Sequence, residues 1–196
     1  KMLFKFKYKK RWATNNGFTL IELLVVFSVS ALIATVMIAS YPDFTSKVEF
    51  DNVALDIALT IREAQVYGMG SVADEGNFDI PYGVNFDMNS KNSFIFFADK
   101  DKNNKYNSPP DKTIDTLTIK SDFIIEDICI NGDSKCYAST GTQNPLNITF
   151  KRPNPDGIIR LGANSPANSG SIKIKNTKTG KTKTITVTNT GQISIQ

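Results

Sequence analysis

Among the residues that could do chemistry, one glutamate stands out by its position. Glu22 lies near the start of an apolar run over residues 18–39. At about 1.5 Å per helical residue, this run spans the hydrocarbon core of a bilayer. A carboxylate in that core costs about 2.5–3.5 kcal/mol and usually has a partner. Glu22 therefore either lies at the membrane interface and reaches water, or pairs with a cation that assembly supplies.

A second group of residues has the spacing of a calcium-binding loop. Its candidate ligands are Asp99, Asp101, Asn103, the backbone carbonyl of Lys105, and Asp111. Oxygens two residues apart in a tight loop converge on one hard cation. Against this, Asn104 replaces the usual glycine, Pro110 replaces the usual glutamate, and neighbouring lysines dilute the negative charge. The pattern fits a solvated surface loop as well as a calcium site, and calcium is the only cofactor it suggests.

The only two cysteines, Cys129 and Cys136, are separated by a turn-forming Asn-Gly-Asp sequence and three further residues. They predict a small disulfide loop if this part of the chain is exported. Two thiols alone are a poor zinc signal, because tetrahedral sites need four ligands.

The last 40 residues are basic and contain no acid. Their lysines are Lys173, Lys175, Lys178, Lys181 and Lys183. Such a segment can bind DNA through counterion release. Lysines also protect exposed strands from edge-to-edge aggregation, and no aromatic residues interleave with these to stack on bases. A solvated face and a DNA contact both remain open.

The composition argues against an enzyme. Histidine is absent, which excludes Ser-His-Asp and Cys-His catalysis and imidazole metal sites. No phosphate-binding glycine loop follows a predicted strand. We predict no catalytic residues.

The segment before Glu22 predicts how the chain is oriented. Residues 1–17 carry six basic residues and no acid, and the apolar run follows directly. Basic residues before an apolar span predict a cytoplasmic leader and an exported carboxy-terminal part. Gly17 is the only small residue at the boundary between them. A cut there would keep the apolar helix on the mature chain and create an α-amino group on Phe18, a cation for Glu22.

After the apolar run, the sequence predicts a second helical stretch and then strands. Pro42 should kink or interrupt the helix. Apolar residues then recur at three- and four-residue steps: Phe50, Val53, Ala54, Ile57, Ala58, Ile61 and Ala64. Seven later runs rich in β-branched and aromatic residues predict short strands, the last two forming a hairpin around Gly180. A long helix followed by strands predicts an α+β fold, with the helix packed on antiparallel β-sheet.

The stretch GFTLIELLVV, residues 17–26, resembles the processing motif of type IV prepilins and type II secretion pseudopilins. The resemblance implies cleavage between Gly17 and Phe18 by a prepilin peptidase, and N-methylation of Phe18. It also implies that Glu22 neutralises the amino terminus of a neighbouring subunit in the fibre.

The later pattern, from LTIREAQVYG to ITVTNTGQIS, is similar to GspH/FimT-like minor pilins. Some of these bind DNA through a glycine-arginine-x-arginine arrangement near the carboxy terminus. Here the corresponding residues are Gly191-Gln192-Ile193-Ser194, which contain no arginine.

Together these features predict four segments. They are a cleaved basic leader (1–17), a transmembrane assembly helix (18–41), an amphipathic helix (42–70) and an exported β-rich head (71–196). The predicted protein is a minor pilin of a type IV pilus, competence or type II secretion fibre. Its expected partners are other pilins, the peptidase, the inner-membrane assembly platform and lipid. The alternative is a fibre-associated pilin that binds DNA or a surface.

Overall fold

Helix α1 (Leu20–Met69) is the longest element of the chain. The computed structural model describes residues 17–70, 79–132, 135–141, 144–164 and 166–196. The basic leader before Gly17 and the first residues of the predicted head, 71–78, lie outside these ranges. The chain divides into two compact units, residues 1–45 and 46–196, and α1 contributes to both.

A kink or an interruption was predicted at Pro42; helical structure continues through this residue, so the interruption does not occur. Proline lacks one backbone N–H, and its ring crowds the preceding turn. In a helix of 50 residues, the hydrogen bonds on either side of that position remain. The two predicted helical segments are therefore consecutive parts of α1.

The part of α1 in the second unit buries the predicted apolar stripe. Phe50, Ala54, Ile57, Ala58, Ile61 and Ala64 are buried, and Val53 packs at their edge. The charged residues on the opposite side are exposed: Asp51, Asp56, Arg62 and Glu63. The amphipathic prediction for this part of the helix is confirmed.

The first sheet is antiparallel with the strand order β3-β2-β1-β6-β7. Its strands are β1 (Tyr82–Phe86), β2 (Ser93–Ala98), β3 (Lys112–Thr118), β6 (Leu146–Phe150) and β7 (Gly157–Leu161). Alternation along β1 and β2 places Val84, Phe94 and Phe96 in the core. The intervening residues form the sheet's other face.

The second sheet is also antiparallel, in the order β10-β9-β8-β4-β5. Its strands are β4 (Phe123–Ile130), β5 (Lys135–Cys136), β8 (Ser169–Asn176), β9 (Thr182–Thr188) and β10 (Ile193–Ile195). The short helix α2 (Tyr137–Thr140) follows β5. The β8–β9 hairpin is confirmed, and Gly180 in its turn has φ +69°.

Helix α1 packs against both sheets. The Phe50 ring stacks on Phe123 of β4 at 5.4 Å, and the Tyr67 ring meets Phe96 of β2 edge-on at 5.4 Å. At Gly68 an added β-carbon would lie 2.4 Å from the Phe150 carbonyl oxygen, so only glycine allows this approach. The predicted α+β fold, a long helix on antiparallel sheets, is confirmed.

Candidate functional site

Thr19 and Glu22 cap the amino end of α1 reciprocally. The Glu22 backbone N–H donates to Thr19 Oγ1 at 3.2 Å, and the Thr19 N–H points to Glu22 Oε2 at 3.5 Å. This is a capping box, with Thr19 just before the first helical residue and Glu22 at the third position. The role of Thr19 was not predicted from the sequence, although threonine followed three residues later by glutamate is the signal of a capping box.

The helical segment after Thr19 presents only exposed side chains. Leu20–Ile38 is long and apolar enough to cross a membrane, and none of it is buried within the structure. The hydroxyls of Ser28 and Thr35 donate to backbone carbonyls four residues earlier, each at 2.8 Å. These polar groups are satisfied inside the helix, as a lipid environment requires.

A family model, the prokaryotic N-terminal methylation motif, matches residues 12–38. The chain carries the type IV pilin and pseudopilin signal. The match includes Gly17, Phe18, Glu22 and the whole apolar segment Leu20–Ile38. Comparison with curated proteins and with solved structures found no match for the chain.

The predicted cleavage site of this methylation signal lies just outside the helix. Gly17, Phe18 and Thr19 have no regular secondary structure, and α1 begins at Leu20. Phe18 is 83% exposed, and nothing lies within 4 Å of a β-carbon placed on Gly17. Among the described residues, nothing covers the bond between Gly17 and Phe18, and cleavage there remains a prediction.

The structure joins Cys129 to Cys136 by a disulfide. The two residues face each other across β4 and β5. Beside them, Asp127 Oδ1 accepts the N–H of Ala138 in α2 at 3.0 Å. Asp127 and the two sulfurs lie close together, but both sulfurs are used in the disulfide and neither is a free thiolate for a metal. The arrangement attaches β5 and α2 to the end of β4.

The predicted calcium ligands lie in the acidic loop, residues 99–111, between β2 and β3. Asp99 and Asp111 are buried, whereas Asp101 is exposed. Asp99 accepts the backbone N–H groups of Asn103 at 3.1 Å and Asn104 at 2.8 Å. These hydrogen bonds hold the backbone of residues 103 and 104 against Asp99, the first residue of the loop.

Asp111 organises the other half of the acidic loop. Its carboxylate accepts the Lys100 N–H at 2.9 Å and the Asn107 N–H at 2.8 Å. Asn104 adopts a left-handed backbone with φ +61°, the conformation for which glycine was expected at this position. The two buried aspartates thus hold the loop together through backbone hydrogen bonds.

The pKa values in the acidic loop diverge. Burial raises the pKa of Asp99 to about 7, although the N–H groups of Asn104 and Asn103 favour its charged form. Burial likewise raises the pKa of Asp111. At the exposed Asp101, partial desolvation also favours the neutral form. Hydrogen bonds from Asn107 and Asn103 outweigh this effect and lower the pKa of its carboxyl.

Three of the five predicted calcium ligands converge. Carboxylate oxygens of Asp99, Asp101 and Asp111 all lie within 4.8 Å of one another, so one hard cation could contact all three. The Asn103 Oδ1 accepts the Lys105 N–H at 2.8 Å and is already engaged. The carboxylate chemistry fits calcium, which remains a prediction.

Four of the five candidate DNA-binding lysines form ion pairs within the second compact unit, residues 46–196. Lys173 and Lys175 of β8 contact Glu126 of β4, with N–O distances of 3.3 and 3.0 Å. Lys178 contacts Asp122 at 2.8 Å, and Lys183 of β9 pairs with Asp51 of α1. Lys181 forms no such pair with any residue that the structure describes. These ion pairs could not be predicted from the sequence, because all of the acids lie far from the lysines along the chain.

These pairs reduce the charge that the lysines offer to a phosphate backbone. Hydrogen bonds donated by Lys175 and Lys173 hold the pKa of the Glu126 carboxyl below its ordinary value, and the hydrogen bond from Lys183 does the same at Asp51. A DNA phosphate would have to displace a carboxylate at most of these positions, and the number of released counterions falls accordingly. The geometry therefore favours a solvated, internally paired face over a DNA contact.

Proposed function

We propose that this protein is a minor pilin or pseudopilin, GspH/FimT-like, that serves as a structural subunit of a type IV pilus, competence or type II secretion fibre. The observation that carries the proposal is the methylation signal over residues 12–38, which coincides with the exposed apolar segment of α1. A protein with this role is a substrate of the prepilin peptidase and has no catalysis of its own.

Processing prepares the amino end of the helix for assembly. Cleavage between Gly17 and Phe18 leaves a new α-amino group on Phe18, which the peptidase then N-methylates. The capping threonine, Thr19, remains on the mature chain, so the first helical turn keeps the bond from the Glu22 N–H to Thr19 Oγ1. The helix end therefore stays capped after the leader is removed.

Glu22 can exchange its partner at low cost. Its carboxylate is 3.5 Å from the Thr19 nitrogen, longer than the usual 2.7–3.2 Å of such a bond. A charged amine from a neighbouring subunit would give a shorter, charge-assisted bond, roughly twice as strong. In a lipid or protein interior, this pairing would remove the penalty of about 2.5–3.5 kcal/mol for an unpaired carboxylate.

The proposed path begins in the inner membrane. The apolar segment anchors the chain there, with the head, residues 71–196, exported. The assembly platform then transfers the helix from lipid to the fibre, where apolar faces of neighbouring pilin helices replace the lipid contacts.

The test is Glu22→Ala in the full chain, expressed in a cell that contains the fibre machinery. We expect normal membrane insertion and cleavage, with loss of the protein from sheared fibres. Glu63→Ala is the matched control, because Glu63 is an exposed acid on α1 outside the apolar segment. Mass spectrometry of the mature protein would show a chain that begins at Phe18 and carries one additional methyl group. Normal incorporation of the Glu22 variant would refute the pairing mechanism.

A further inference from the structure

A cleft of about 420 Å³ opens on the face of the first sheet opposite the core. Asn85, Ile95 and Thr116 lie in register across β1, β2 and β3 and form its floor. Tyr106 of the acidic loop lines it on one side, and Asp87, at the end of β1, lines it on another. Neither the assembly helix nor the disulfide takes part in this cleft.

Tyr106 is held in place without any ligand. Its ring packs on Phe97 with a centroid distance of 5.2 Å, and its hydroxyl is 2.7 Å from Thr113 Oγ1. Its backbone N–H donates to Asn147 Oδ1 at 3.0 Å. Because Asp99 and Asp111 order the same loop, this side of the cleft is preformed, and binding would need little reorganisation.

The floor of the cleft presents unpaired polar atoms. Asn85 is only 3% exposed, and its Nδ2 donates to Asn147 Oδ1 at 2.8 Å, which fixes the orientation of the amide. None of the described residues donates a hydrogen bond to Asn85 Oδ1. This oxygen is also not among the fully enclosed side-chain atoms without a hydrogen-bond partner. It is therefore an acceptor that is not fully enclosed, on a residue that lines the cleft. The hydroxyls of Ser93 and Thr116 line the same space and form no hydrogen bond with other described residues.

We propose that this cleft binds a neutral saccharide unit. Hydroxyl groups both donate and accept, and the cleft offers carboxylate and amide acceptors together with hydroxyls that do both. The Tyr106 ring and the side chain of Ile95 add apolar surface for the faces of a sugar ring. The mixture of a few fixed polar groups with apolar surface matches a ligand that is polar at its edges and apolar on its faces.

Two other ligand classes fit less well. Asp87 is the only charged residue among the described residues that line the cleft, and its carboxylate repels phosphates and other anions. The strands that carry Asn85 and Ile95 are interior strands whose edges are already paired with neighbouring strands. An extended peptide would therefore find no main-chain partners at the centre of the cleft.

The test uses the full chain in micelles of a zwitterionic detergent, because detergents with sugar headgroups would compete. Saturation-transfer NMR would measure binding of maltotriose, cellotriose and triacetylchitotriose at concentrations on the order of millimolar. Trigalacturonate and an unstructured hexapeptide represent the anionic and peptide classes. We expect transfer from at least one neutral trisaccharide and none from the other two probes.

The decisive variant is the double substitution Ser93→Ala and Thr116→Val, which removes two hydroxyls with little change in volume. Loss of the hydrogen bonds to these two hydroxyls should weaken binding roughly tenfold or more. Thr118→Val, on the same strand but outside the cleft lining, should bind like the unchanged protein. Thermal melting would confirm that both variants are folded. Absence of transfer from all three neutral probes would overturn the proposal, as would equal binding by the double variant or a preference for the anionic or peptide probe.

Discussion

Asp99→Asn tests the electrostatics of the acidic loop. Asp99 is fully buried, and burial raises the pKa of its carboxyl from an ordinary 3.8 to about 7. Asparagine has nearly the same volume but cannot ionise. The variant therefore removes the titration and keeps most of the packing, at the expense of one of the two backbone hydrogen bonds to the carboxylate.

The sign and size of the effect follow from the two pKa values. The folded head binds the Asp99 proton more tightly than the unfolded chain does, so this group contributes its full stability below pH 3.8. That contribution is lost as the pH rises through about 7. At roughly 1.4 kcal/mol for each tenfold change in proton affinity, the total loss is on the order of 4 kcal/mol. Asp111, whose pKa is also raised by burial, adds a smaller loss in the same direction.

The assay is urea unfolding of residues 46–196, which contain the whole buried core, between pH 4 and pH 8 with a calcium chelator present. Subtracting the curve of Asp99→Asn cancels the pH dependence of the other groups. We expect the unchanged protein to be the more stable at pH 4, because the variant lacks a hydrogen bond worth about 1 kcal/mol, and to lose this advantage by pH 8. A flat difference, or one that grows with pH, would refute the account.

Three further predictions concern the helix, the acidic loop and the basic face. Gly68→Ala should lower the free energy of unfolding by roughly 1–3 kcal/mol, because the new β-carbon would lie 2.4 Å from the Phe150 carbonyl oxygen. Val66→Ala, at an exposed position on the same helix, should change the free energy of unfolding little in the same denaturation assay. Calorimetric titration with calcium should give a heat and raise Tm, and Asp101→Asn should weaken both, whereas no heat and an unchanged Tm would remove the site. A mobility-shift assay should show no DNA complex at moderate salt, since four of the five lysines are paired with acids of the second unit. A complex that Lys181→Ala abolishes would favour the alternative function.

The assembly signal could be predicted from the sequence because it is contiguous. Gly17, Phe18 and Glu22 lie within one short segment, and their spacing has meaning along a single helix whatever the rest of the chain does. The amphipathic stripe beginning at Phe50 is equally local, since the helical period alone decides which side chains share a face. Of the kink or interruption predicted at Pro42, the interruption was wrong, because one missing hydrogen bond does not end a long helix.

The strands were only partly predictable. The seven runs of β-branched and aromatic residues correspond to strands, but β5, β7 and β10 were missed. β5 and β10 have only two and three residues, too few for an alternating pattern. Their strand structure depends on neighbours such as β4, β6 and β9, which pair with them.

By itself, the sequence determined the amino-terminal signal, the two-part character of the long helix and the α+β class, because each depends on residues that are neighbours along the chain. Only the tertiary structure decided that Lys183 pairs with Asp51 and that Asn85, Ile95 and Thr116 form one floor. Those relationships depend on strand order and register, which bring together residues that are distant in the chain and leave no local pattern behind.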